Sequence, residues 1–208
     1  MAWHYVPGWI QNFYPDRMWR KENSSDQIYL TFDDGPVPGV TDYALDTLAR
    51  MGMKATFFMV GDNVRKYPDL ARRVLEEGHA IGNHTFNHLN GWRTSDQEYL
   101  DNVVQCSSII KETLGIEPLV FRPPYGLASS SQAKEISKTM SVTMWDVLSG
   151  DYQKGISADQ VLSKTKKYST VGAIVLFHDQ QKTMDMLPKV LPDYLDFLIE
   201  KNLKTALL

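Results

Sequence analysis

Short apolar runs alternate with helical patterns from one end of the chain to the other, and this alternation most restricts the fold. Runs at 28–32 (IYLTF), 55–60 (ATFFMV) and 173–177 (AIVLF) are β-branched, aromatic and almost unbroken in apolar character. Shorter runs lie at 79–82, 119–122, 142–147 (VTMWDV) and 203–207. Between them come helical spacings at 40–51, 68–77, 95–114, 129–139, 158–167 and 184–202. Pro68 opens the second and Gly78 ends it, and Ser95 with Glu98 forms a capping-box pattern at the start of the third. Strands that read as continuous apolar runs are buried on both faces, and strands separated by helices pair in parallel. About seven strands and six helices with no linker or repeat fit a small irregular (β/α)7 barrel or an open doubly wound sheet.

The polar residues favour the barrel. Asp33-Asp34-Gly35-Pro36 follows the first strand, and His84 and His88 follow the third. Arg122-Pro123-Pro124-Tyr125-Gly126 ends the fourth, Gly150-Asp151-Tyr152 follows the fifth, and His178-Asp179 ends the sixth. Sites in parallel α/β folds form at the carboxyl ends of strands. Chemistry-bearing groups from five strands converge best when the strands close on themselves.

Those groups are the materials of a hydrolytic metal centre. Two histidines four apart plus one carboxylate give three protein ligands and leave room for water and substrate. An HxxxH pair or an Asp-Asp pair alone is a weak signal, since D-D-G-P is also a common solvated turn. Each at the end of its own strand is a stronger one. Neighbouring aspartates can divide the work, one ligating while the other accepts a proton from water. With a single cysteine, Cys106, thiolate clusters and internal disulfides are excluded. Cys106 reads as a small core residue, His79 as structural, His4 as outside the chemistry, and Asp179 as a cap or a support for its neighbours. Trp92 either stacks on a sugar face or anchors its loop.

Together the motifs resemble the polysaccharide deacetylase family, the NodB-homology or carbohydrate esterase family 4 domain. The resemblance rests on Thr31-Phe32-Asp33-Asp34-Gly35-Pro36, His84-Thr85-Phe86-Asn87-His88, Arg122-Pro123-Pro124-Tyr125-Gly126, the stretch from Trp145 to Asp151, and Leu176-Phe177-His178-Asp179, in that order. It covers roughly residues 26–208 and implies a distorted (β/α)7 barrel, an α/β fold of parallel strands with outer helices. It also implies that Asp34, His84 and His88 hold a divalent metal, Zn2+ first, with Co2+ or another divalent ion as alternatives. Asp33 is then the base, His178 the acid, Arg122 the partner of Asp33, and Asp151 the partner of His178. The Tyr125 N–H donates to the oxyanion, and Pro123, Leu176 and Tyr152 contact the acetylated glycan. One position departs from the family: Tyr152 stands where Trp is frequent, which opens the question of substrate preference. A hydrolase of small non-peptide amides and a non-catalytic glycan-binding homologue are the competing readings.

A net charge of −3 and the lack of a basic stripe argue against nucleic acid as a partner. No apolar run approaches the roughly 18 residues of a membrane span. Residues 1–26 are aromatic (Trp3, Tyr5, Trp9, Phe13, Tyr14, Trp19) and read as an extension packing on a barrel domain at 27–208, with membrane-surface contact as the other reading. They lack the form of a signal peptide, so the sequence as it stands points to the cytoplasm, and a trimmed chain to the cell envelope or the extracellular space.

Overall fold

A computed structural model describes residues 4–21 and 26–208; Trp3 of the aromatic extension lies outside them. Seven parallel strands form a curled half-barrel with helices around it. In chain order the strands are β1 Gln27–Asp33, β2 Thr56–Met59, β3 Ala80–Asn83, β4 Val120–Phe121, β5 Ser141–Val142, β6 Val147–Leu148 and β7 Ile174–His178. Spatially they run β5-β4-β3-β2-β1-β7-β6, and a short β8, Lys204–Thr205, pairs with the start of β1. The helices are α1 Gly8–Asn12, α2 Val40–Arg50, α3 Gly61–Lys66, α4 Pro68–Glu76, α5 Asp96–Leu114, α6 Ser130–Ile136, α7 Ala158–Tyr168 and α8 Leu187–Glu200.

The central strands are apolar because nothing on either face is wet. Every residue of β1 after Gln27 is buried. Phe32 stacks on Phe57 at 5.0 Å between centroids and lies 6.1 Å from Phe177, so adjacent strands share one aromatic layer. Outside that layer α2 buries Val40, Ala44, Leu45 and Leu48, and α8 buries Leu191, Tyr194, Leu195 and Leu198. These positions recur every three to four residues, the spacing that puts them on one helix face. Ser95 accepts a hydrogen bond from the Glu98 N–H at the start of α5, and Gly115, at φ 71°, ends it in the left-handed conformation.

The expected strand at 142–147 is instead two, β5 and β6, and they are the two free ends of the sheet. The reason lies in the carbonyls between them. The buried guanidinium of Arg122 takes the Thr143 and Met144 carbonyls (3.4 and 2.9 Å), so the backbone turns inward and cannot continue a ladder. Residues 4–20 bond to the edges left open. Met18 donates to the Val142 carbonyl and accepts from Met144 N–H, while Leu148 N–H donates to the His4 carbonyl and Val6 N–H to that of Asp146. Arg20 then pairs with the buried Asp146.

Helix α3 was not expected. Its six residues, GDNVRK, bury only Gly61 and Val64, too few for a legible apolar stripe. Among the described residues no helix is long and apolar enough to cross a membrane.

Candidate active site

Parallel register brings the strand ends level. Asp33 lies opposite Phe58 of β2 and His178 of β7, and Asn83 lies opposite Met59 and Phe121. Residues just beyond those positions therefore meet at one mouth, around a cavity of 430 Å³. Its wall holds Asp33, Asp34, His84, His88 and His178, together with Tyr125, Tyr152 and Leu176. Of the other residues singled out from the sequence, Arg122 lies fully buried behind Asp33, and Asp151 behind His178. Pro123 is buried in its turn and is not part of the wall.

Asp34, His84 and His88 present their ligand atoms to one point. Asp34 Oδ1 is 3.4 Å from His84 Nε2 and 3.0 Å from His88 Nε2. Ligands held at 2.0–2.2 Å around a tetrahedral ion are about 3.4 Å apart. The donor chemistry fits a cation as well. His84 Nδ1 donates to the Arg122 carbonyl at 2.7 Å, which leaves Nε2 with a lone pair. That lone pair faces Asp34 Oδ1, a buried oxygen with no hydrogen-bond partner among the described residues. Two lone pairs aimed at each other repel unless a positive charge lies between them. These three residues are thus suited to a divalent metal.

Asp33 is arranged differently. Its Oδ1 accepts from Arg122 Nη1 at 2.6 Å, and its Oδ2 stands 3.8 Å from His84 Nε2. One oxygen is therefore occupied and the other is left toward the cavity, which Asp33 lines without belonging to the three-residue cluster. Arg122 also donates to Thr31 Oγ1 at 2.8 Å and lies 4.0 Å over the Phe58 ring. Every face of this buried cation is thus paired or packed.

On the opposite side Asp151 accepts twice from His178, from the ring Nδ1 and from the backbone N–H, both at 2.8 Å. The ring cannot turn, and its Nε2 points away from Asp151. Burial lowers the imidazole pKa, but Asp151, with help from Asp34 and Asp33, raises it to about 9. The Tyr152 ring meets His178 edge-on at 4.8 Å. Tyr125 sits at φ 60° with its ring centroid 4.7 Å from that of His88 in a T-shaped contact, and no described residue accepts its backbone N–H.

The sequence reading missed several groups here. Trp145, placed on a strand, lies instead between β5 and β6 and lines the cavity beside Tyr152. Asn63, Gln180 and Lys182 line it too. Asn63 Nδ2 donates to the Asp34 carbonyl at 2.7 Å. Asn63 follows β2, so the strand-end rule that found the histidines could have found it. The bland readings of other residues agree with their surroundings. His79 is buried, its Nδ1 accepting from Ala55 N–H, and Cys106 is buried in the core. Trp92 donates from its indole to the Ala128 carbonyl while remaining 64% exposed.

Residues 20–145 match the family model for polysaccharide deacetylases. A peptidoglycan-N-acetylglucosamine deacetylase of Bacillus cereus is 35% identical over 172 residues, 80% of this chain and 62% of that protein. The peptidoglycan-N-acetylglucosamine deacetylase PgdA of Listeria monocytogenes is 39% identical over 163 residues, 78% of this chain and 34% of that protein. The chain thus spans less than two thirds of either relative. Among solved structures, a peptidoglycan N-acetylglucosamine deacetylase in complex with an N-oxidanyl-benzamide superposes with a TM-score of 0.83 and 30% identity, over 98% of this chain and 95% of that one.

Proposed function

The chain belongs to the polysaccharide deacetylase family, and we propose that it is a metal-dependent hydrolase removing N-acetyl groups from an N-acetylglucosamine-containing glycan, with peptidoglycan ahead of chitin-like oligomers. The observation that carries this reading is the pairing around one cavity of a three-ligand cluster, Asp34, His84 and His88, with an Arg-held carboxylate on one side and an Asp-held imidazole on the other. The names of the relatives support the glycan.

Zn2+, or Co2+ or another divalent ion, would when bound act as a Lewis acid on the acetyl carbonyl and bring water into its reactive range near neutral pH. The rest is done by the chain. Asp33 takes a proton from the attacking water at Oδ2, because Arg122 occupies Oδ1. The hydroxyl oxygen bonds to the acetyl carbon, and the carbonyl oxygen gains charge. The Tyr125 backbone N–H donates to that oxygen, a contribution typically worth about 3 kcal/mol. His178 gives its Nε2 proton to the amide nitrogen as the carbon–nitrogen bond breaks, which releases acetate and leaves a free amine on the sugar. Asp151 keeps His178 charged and aimed for that step. Leu176, Tyr152 and Trp145, which line the cavity, would contact the acetyl methyl.

The test is acetate release by metal-stripped and Zn2+-reloaded protein on N-acetylglucosamine oligomers, peptidoglycan strands and small amides. Zn2+-dependent release from the glycans is expected. Release from small amides alone moves the reading to an amidohydrolase, and glycan binding without release under any divalent metal moves it to a binding homologue.

A further inference from the structure

We infer that Asp179 is a positioning residue for the metal centre: its buried carboxyl group clamps the Asp33–Val37 turn and so holds Asp34 where it can ligate. The inference rests on the metal-holding part of the proposed function and adds a residue that touches neither cavity nor ligand.

Asp34 has φ 83°, in the left-handed region. A residue other than glycine stays there only where its surroundings over-determine it. Asp179, directly after His178, is 1% exposed and supplies much of that determination. Its N–H donates to the Asp33 carbonyl at 3.0 Å. Its Oδ1 accepts from Gly35 N–H at 3.0 Å, and its Oδ2 accepts from Thr41 Oγ1 at 2.6 Å. The Thr41 hydroxyl in turn accepts from Val37 N–H at 2.7 Å. One side chain and its own backbone thus reach residues 33, 35 and, through Thr41, 37. From the other side the Asn63 amide holds the Asp34 carbonyl, and Val60 N–H holds that of Gly35.

Gly35 carries the second, independent sign. A Cβ built there would lie 1.9 Å from Asp179 Oδ2. This glycine is not at positive φ, so what requires it is space, and the space is filled by the Asp179 carboxyl group. Turn and carboxyl group are shaped to each other.

The test compares Asp179→Ala, Asp179→Asn and Thr41→Val with the parent chain. Zn2+ affinity is read by competition with a chromophoric chelator, and ligand geometry by the visible spectrum of the Co2+ form. Groups that orient metal ligands typically change affinity by about 10–100-fold when removed. Asp179→Ala is therefore expected to weaken Zn2+ binding by at least about tenfold and to alter the Co2+ spectrum. Asp179→Asn, whose Oδ1 still accepts from Gly35, should remain within about threefold of the parent. A folded Asp179→Ala protein with parental affinity and spectrum overturns the inference. If that variant does not fold, Thr41→Val decides: a several-fold loss of affinity supports the clamp, and unchanged affinity overturns it. A parent chain that binds Zn2+ but releases no acetate sinks the deacetylase reading and leaves this measurement standing.

Discussion

Replacing Asp151 with Asn separates charge from shape at the proposed acid. His178 is raised to about 9 because the Asp151 carboxylate outweighs the burial that would lower it. An ordinary imidazole titrates near ~6.5, and the interval corresponds to about 3 kcal/mol of preference for the protonated form. Asp151→Asn removes the charge and leaves the burial, so the pKa falls to roughly 6.5 or below. The sign follows from the role. An acid must enter the reaction protonated, so activity is kept below its pKa and lost as pH rises through it. Near pH 8 about nine-tenths of the parent's His178 carries its proton, against roughly one-thirtieth in the variant. The expected loss in kcat/KM is therefore roughly 30-fold or more near pH 8 and only about one- to fourfold near pH 6, beyond any pH-independent cost of the altered contact with His178 N–H. The assay is acetate release across pH, with parent and variant in the same metal state, since a divalent ion on Asp34 opposes the part of the raise that Asp34 and Asp33 supply. If the variant loses activity by the same factor at every pH, with the alkaline limb unmoved, the reasoning about charge is wrong.

Other outcomes follow from the same geometry. Asp33→Asn should lower kcat by about 10²–10⁴-fold while leaving Zn2+ affinity within a few-fold, because Asp33 stands outside the ligand set; chelator competition beside kinetics checks both halves. His88→Ala should abolish the rise in Tm that excess Zn2+ gives the parent chain, which is about 2.7 kcal/mol of added stability when the metal stands at a hundred times its Kd; a scan with and without metal reads it. Arg122→Met should destabilise the fold by about 3–5 kcal/mol in urea unfolding, because it leaves the buried Asp33 without its cation.

The legible parts of the fold were those written in local periodicity. Nearly unbroken β-branched and aromatic runs such as 28–32 and 173–177 read as buried strands, and helices between them as parallel pairing. The gathering of Asp34, His84 and His88 at one point was legible because each follows a strand, and parallel register brings strand ends together. What escaped depends on contacts between residues far apart in the chain. The break between β5 and β6 comes from Arg122, whose guanidinium takes carbonyls 21 and 22 residues away. A run of VTMWDV carries no sign of that demand. The same break moves Trp145 from strand to cavity wall. Asp179 reaches Gly35 and Thr41 across 144 and 138 residues. The sequence offered it as a cap or a support for its neighbours, with no sign of which residues it would reach. Residues 1–26 read as an aromatic extension packing on the barrel, but the backbone bonds of residues 4–20 to β5 and β6 were not legible, because free strand edges accept backbone whatever its side chains.

Deacetylation on this reading depends on a metal held by Asp34, His84 and His88. Titrating Zn2+ into stripped protein while following acetate release from N-acetylglucosamine oligomers tests it most directly, with His84→Ala alongside. The account requires release to rise from near zero and level off at one equivalent of Zn2+ per chain, and the variant to stay near zero throughout. Release from the stripped protein that added Zn2+ does not change, or full release from His84→Ala, would contradict it.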